Sequence, residues 1–197
     1  VVEKAQAAVE AKVREIDERN RQELEQKLWV LKVNKRLSET LGARYLTYDD
    51  AAIPKREALL KATSFVITGQ RGAGKSMALT YALYERAVAM WKHDVTEIEA
   101  YKAPVLFTLL HNGSYPKEDA ALFAIDDLGT EYGETFALSQ FGALVEFRYS
   151  HLLPMLITTN MTKVEFLNRV EWERISERLL QMCSWIVFTG GSRRGLA

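Results

Sequence analysis

Hydrophobic positions follow two different patterns along this chain. Over residues 1 to about 41, where glycine and proline are absent, Val9, Val13, Ile16, Leu24, Leu28 and Leu31 recur at spacings of three, four or twice four. That period predicts one long amphipathic helix with a single apolar stripe. Asn20 falls on the stripe, and the stretch DERNRQELEQK is charged all round. Such a helix either projects from the core, with a partner covering Leu24, Leu28, Trp29 and Leu31, or packs its stripe back on its own domain. Gly42 reads as the helix stop, Tyr45 to Pro54 as an irregular connection, and residues 55 to 62 as a short helix.

Beyond Thr63 the pattern changes. Five short apolar runs appear: FVITG (65 to 69), VLFTLL (105 to 110), ALFAID (121 to 126), PMLITT (154 to 159) and WIVFT (185 to 189). Most lack polar alternation, which suits strands buried on both faces of a parallel sheet. Helical stretches at 75 to 92 and 134 to 150 separate them. The expected fold is therefore α/β, a three-layer domain with a five-stranded parallel sheet preceded by a helical segment. The expected division is residues 1–48 for the helical, partner-binding segment and 49–197 for the α/β domain.

Composition narrows the classes. With 197 residues, 48% hydrophobic and 26% charged, the chain has room for one sizeable core and is neither disordered nor membrane-spanning. Its net charge of zero gives no global positive field, so a nucleic-acid role has to be argued from something else. The single cysteine, Cys183, cannot form an intrachain disulfide and reads as a buried small hydrophobe. The start shows no signal-peptide pattern, so a reducing cytoplasm is the expected location. The chain begins at Val1 without a methionine, which suggests that a natural N-terminal portion is missing.

The candidate chemistry begins at GQRGAGKS. Gly69, Gly74, Lys75 and Ser76 match G-x-x-x-x-G-K-[ST], directly after a predicted strand and at the opening of a predicted helix. Glycines let the backbone turn its N–H groups around phosphates, and the first helical turn adds its positive dipole end. Gly69, Gln70, Arg71, Gly72, Ala73, Gly74, Lys75, Ser76 and Met77 form the expected ATP cradle. Lys75 would reach the β and γ phosphates, and the Ser76 hydroxyl would hold Mg²⁺.

About fifty residues on, ALFAIDDLGTE ends an apolar strand in two carboxylates. Ligands of parallel sheets bind beyond the carboxyl ends of the strands, so both belong to the same crevice as the glycine loop. Asp126 would hold magnesium, directly or through water, and Asp127 would polarise an attacking water. Glu131 reads as a solvated loop charge. The next strand ends in Thr158, Thr159 and Asn160, whose amide would orient that water, contact the γ-phosphate or simply cap a turn. Arg174 and Arg178 lie four apart on one helical face, with Glu171, Glu173 and Glu177 available for surface salt bridges. Arg193 and Arg194 follow the last strand.

Together these residues resemble the AAA+ ATPases, and within them the DnaC/DnaI helicase loaders and the related IstB transposition ATPases. The resemblance runs from about Phe65 to Arg194. It rests on GQRGAGKS as Walker A, FAIDDLGTE as Walker B, FRYSHLLPMLITTN as the stretch leading to sensor 1, RISERL as the arginine-finger motif, and GGSRR as the sensor 2 ending. It implies that Asn160 is sensor 1 and Arg194 the sensor 2 arginine. It also implies that Arg178 is a finger reaching a neighbouring subunit's γ-phosphate, with Arg174 as the second candidate.

Such a finger implies self-association into a ring or spiral with ATP at each interface. The function implied is that of an ATPase that loads a DnaB-type replicative helicase onto single-stranded DNA, with no membrane partner. An IstB-like factor acting on duplex DNA, or a nucleotide-dependent interaction module without a DNA role, are the alternatives. The sequence departs from the family at HNGSYPKEDA, which leaves little room for the helix usually found before the Walker B strand. It departs again at Asp127, where many AAA+ proteins have glutamate, and in the region before Thr63, which matches neither subfamily.

Overall fold

The computed structural model describes residues 2–47, 52–129 and 135–189. Glu131, Arg193 and Arg194 lie outside them. The first element, α1 (Val2–Leu37), is 36 residues long, about 54 Å at 1.5 Å per residue. It continues through a π-helical turn, Ser38–Gly42, that ends at Gly42 with φ of 114°. The helix divides into two parts. From Glu10 to Leu28 every residue is exposed. From Trp29 onward it is anchored: Trp29, Val33, Leu37 and Leu41 are buried, and the Trp29 indole N–H donates to the Ala87 carbonyl at 2.8 Å. The stripe is therefore divided, its earlier stretch exposed and its later stretch packed on the chain's own domain. Leu24, Leu28 and Leu31 remain exposed, whereas Trp29 belongs to the domain's own core.

A short helix, α2 (Arg56–Lys61), leads into the sheet. Five strands follow: β1 (Phe65–Gly69), β2 (Ile98–Lys102), β3 (Leu122–Leu128), β4 (Met155–Thr159) and β5 (Ser184–Phe188). They pair in the order β2-β3-β4-β1-β5, and every pairing is parallel. The connecting helices are α3 (Lys75–Ala89), α4 (Ala103–His111), α5 (Thr135–Ser150), α6 (Lys163–Leu167) and α7 (Glu173–Met182). Phe65, Ile67, Ala124 and Leu156 meet α3 and the anchored part of α1 on one sheet face. Val66, Phe123, Ile125 and Ile157 meet α4, α5 and α7 on the other. Successive strand residues thus bury on opposite faces, which is why the runs carry no polar alternation.

One strand was expected in the wrong place. VLFTLL is not a strand but the body of α4, and the strand beside β3 is IEAYK. Ala103, Leu106, Phe107 and Leu110 are buried at the i, i+3, i+4, i+7 period of a helix, and Pro104 sits in its first turn. IEAYK hides its strand character behind Glu99, which is buried because Arg36 Nη2 and the Tyr101 hydroxyl both donate to its carboxylate. A helix, α4, thus does lie between β2 and β3, formed by the residues before HNGSYPKEDA and by its first, His111.

Candidate functional site

The glycine loop joins β1 to α3 at the carboxyl end of the sheet. Gly69 pairs with Phe188 of β5 so closely that a Cβ there would lie 2.5 Å from the Phe188 carbonyl oxygen, which excludes any side chain. Gly72 and Gly74 have φ of 84° and 90°, the left-handed region that favours glycine. Lys75 follows at the first position of α3 and is only 5% exposed. Its ammonium donates to the carbonyls of Gly69 at 2.8 Å and Gln70 at 2.9 Å, and to Asn160 Oδ1 at 2.8 Å. Ala73 is buried and its N–H donates to the Gln70 carbonyl, while Met77 packs partly against the core. Gln70 and Arg71 are exposed on the loop.

Asp126 and Asp127 sit where β3 slips against β4. Ile125 pairs with Ile157 and Leu128 with Thr159, so three steps on β3 match two on β4. This bulge puts Asp127 at φ of 58° and re-aims its side chain. Thr158 holds both acids: its hydroxyl donates to Asp126 Oδ1 at 2.6 Å and accepts the Asp127 N–H at 2.8 Å. Asn160 Nδ2 donates to Asp127 Oδ1 at 3.2 Å. Asp126 is almost fully buried. Burial pushes its carboxyl above the usual carboxylate range, with Asp127 adding to the shift, while hydrogen bonds from Thr158 and Ser76 and the charge of Lys102 oppose it.

These residues fit a nucleotide triphosphate and a magnesium ion. The left-handed glycines and the start of α3 form an anion cradle around a buried ammonium. Among the described residues no cluster of three or more His, Cys, Asp or Glu could hold a metal by itself. Ser76 bonded to Asp126 offers a small oxygen-only donor set, which suits an ion that keeps waters and phosphate oxygens as its other ligands.

No protein-family model matches the sequence, and no curated protein sequence matches it. Solved structures do. The DnaC helicase loader superposes with a TM-score of 0.51 at 17% identity, over 80% of this chain and 90% of that one. DnaI does so with a TM-score of 0.50 at 23% identity, over 79% and 90%. A replication initiator, DnaA bound to AMPPCP and single-stranded DNA, gives 0.51 at 15% identity over 69% of this chain and 43% of its own. The chain has the AAA+ fold.

Within the AAA+ fold, the expected site residues divide into three groups. The loop, Asp126, Asp127 and Asn160 come together at one sheet edge, joined by hydrogen bonds. Arg178 is engaged elsewhere in its own chain. Its Nε donates to Glu146 Oε2 of α5 at 2.9 Å, its guanidinium lies 4.6 Å from the centre of the Tyr149 ring, and Arg174 approaches the same carboxylate at 3.7 Å. The salt-bridge partner is therefore Glu146 rather than Glu171, Glu173 or Glu177. Arg194 lies outside the described residues. Thr158, which holds both acids, was not expected as a site residue, although a hydroxyl two positions before Asn160 on a strand shares its face. Cys183 is buried and its thiol is pushed up to about 12 by burial, which leaves it chemically quiet. Among the described residues no helix is long and apolar enough to cross a membrane.

Proposed function

We propose that this chain is an ATP-dependent loader of a replicative helicase of the DnaB type onto single-stranded DNA. The observation that carries the reading is the Lys75–Asn160–Asp127 chain at the sheet edge, in a fold shared over most of its length with the DnaC helicase loader. Residues 1–48 would be the partner-binding segment and 49–197 the ATPase domain. The exposed stretch of α1 with Leu24, Leu28 and Leu31 would grip the helicase, since an apolar row on a charged helix suits insertion into a partner's groove.

At the site, Lys75 exchanges its carbonyl and amide acceptors for phosphate oxygens. Asn160, released by Lys75, is then able to orient the attacking water, and Asp127 accepts that water's proton. Ser76 and Asp126 hold magnesium, which when bound offsets the charge of the β and γ phosphates. Arg178 leaves Glu146 to reach the γ-phosphate bound by a neighbouring subunit, so hydrolysis requires a ring or spiral. ATP thus acts as a switch that favours the assembled state, and hydrolysis removes that bias.

The test is a strand-displacement assay in which helicase activity on single-stranded DNA depends on loading. Wild-type protein with ATP should deliver the helicase, and Lys75→Ala should not. Helicase delivery by Lys75→Ala at the wild-type level would contradict the reading. Filaments formed on duplex DNA without helicase capture would favour the transposition alternative.

A further inference from the structure

We infer that Thr158 is a positioning residue of this site, coupling the magnesium-holding carboxylate to the water-polarising one; the inference rests on the nucleotide reading above. Its side chain is completely buried at the end of β4. It makes two hydrogen bonds of normal length, to Asp126 Oδ1 at 2.6 Å and from the Asp127 N–H at 2.8 Å. A hydroxyl has one proton. The backbone N–H of Asp127 can only donate, so it occupies a lone pair of the oxygen and leaves the proton aimed at Asp126.

The location of these bonds gives them their consequence. They cross the bulge between Ile125 and Leu128, the one place where the β3–β4 pairing shifts. There the Asp127 N–H donates to the Thr158 hydroxyl, and its backbone sits at φ of 58°. The Thr158 hydroxyl holds the left-handed turn that aims Asp127. The same oxygen orients the Asp126 carboxylate beside Ser76. Thr158 and Asn160 lie on one face of the strand end, two residues apart. Asn160 links Lys75 to the Asp127 side chain. Thr158 links the Asp127 backbone to Asp126, so one strand end sets the geometry of both acids.

The experiment compares Thr158→Val, Thr158→Ala and Thr158→Ser in the full chain. A fluorescent ATP analogue is titrated in EDTA and across a magnesium series, and single-turnover hydrolysis is measured alongside. The Val and Ala variants should bind the analogue in EDTA as the wild type does. Each should need about tenfold more magnesium for half-maximal enhancement of binding and hydrolyse about tenfold more slowly, the effect of one charge-assisted hydrogen bond. Thr158→Ser, which keeps the hydroxyl and loses the same methyl as Ala, should restore both.

A purely structural role would move Ser and Ala alike. Equal behaviour of those two variants, or a Thr158→Ala variant with wild-type magnesium dependence, would overturn the inference. Should the Val variant fail to fold, the Ser and Ala pair decides alone. Wild-type protein that binds no nucleotide would remove the nucleotide reading, and this inference with it.

Discussion

The sheet edge and the projecting stretch of α1 are built on opposite terms. At the edge, Lys75 and Asp126, two charged residues at most 5% exposed, each have hydrogen-bonding partners within the chain. On α1, Leu24 and Leu31 are 59% and 63% exposed on a helix otherwise dense in charge. Burying a charge costs several kcal/mol unless it is paired, so the edge is an arrangement the fold had to stabilise deliberately. Isolated exposed leucines cost a monomer little. On the proposed reading, the difference separates chemistry, which is assembled within the domain, from partner recognition, which would be displayed on an arm. The anchored stretch of α1 joins the two, because Trp29, Val33 and Leu37 pack into the core beside α3.

That separation has a weak point at Arg178, which among the described residues is held away from the Lys75 network by Glu146. If the finger acts in trans, Arg178→Ala should bind ATP nearly normally and hydrolyse it roughly a thousandfold more slowly. Mixing it with Lys75→Ala should restore part of the turnover, because one variant supplies the loop and the other the finger. No recovery in mixtures that demonstrably co-assemble would leave Arg178 as a clamp between α5 and α7 through Glu146.

A smaller effect sharpens the contrast within α1 itself. Trp29→Ala removes a buried indole and its bond to Ala87 and should cost about 3–5 kcal/mol in urea unfolding. Leu28→Ala, one residue away and half exposed, should stay within about 0.5 kcal/mol of wild type. Similar losses at both positions would mean that the arm is core after all.

The smallest expected effect has the opposite sign. The Asp126 carboxyl is raised by burial, so its ionised form is less favourable in the folded than in the unfolded state, and at neutral pH that charge destabilises the fold. Asp126→Asn keeps an acceptor for Thr158 and should raise the melting temperature of nucleotide-free protein by a few degrees, while abolishing the response of nucleotide binding to magnesium. A lowered melting temperature would show that the carboxylate is stabilised where it sits.

The sequence revealed these regions unequally, for physical reasons. The Walker loop was legible because Gly69, Gly74 and Lys75 are required by backbone geometry and charge together, and the double-sided burial of β1, β3 and β4 leaves long apolar runs. IEAYK was not legible, because burying Glu99 takes a second donor beside the nearby Tyr101 hydroxyl, and that donor is Arg36, 63 positions away from Glu99. VLFTLL was ambiguous by composition, and its helical period emerges only once Ala103 is counted with Leu106, Phe107 and Leu110. The division of α1 turns on Trp29, whose partner, the Ala87 carbonyl, lies 58 residues away. The role of Thr158 was not legible because it depends on a bulge, and between strands buried on both faces a one-residue slip leaves no mark on the hydrophobic pattern.

The separation of chemistry from recognition is tested most directly by replacing Leu24 and Leu28 together with serine, leaving Trp29 in place. ATP turnover and helicase capture are then measured on the same preparation. Turnover should stay at the wild-type level, with capture of the replicative helicase lost. Capture that persists in the folded double variant would contradict that separation, because the exposed arm would then not be the grip.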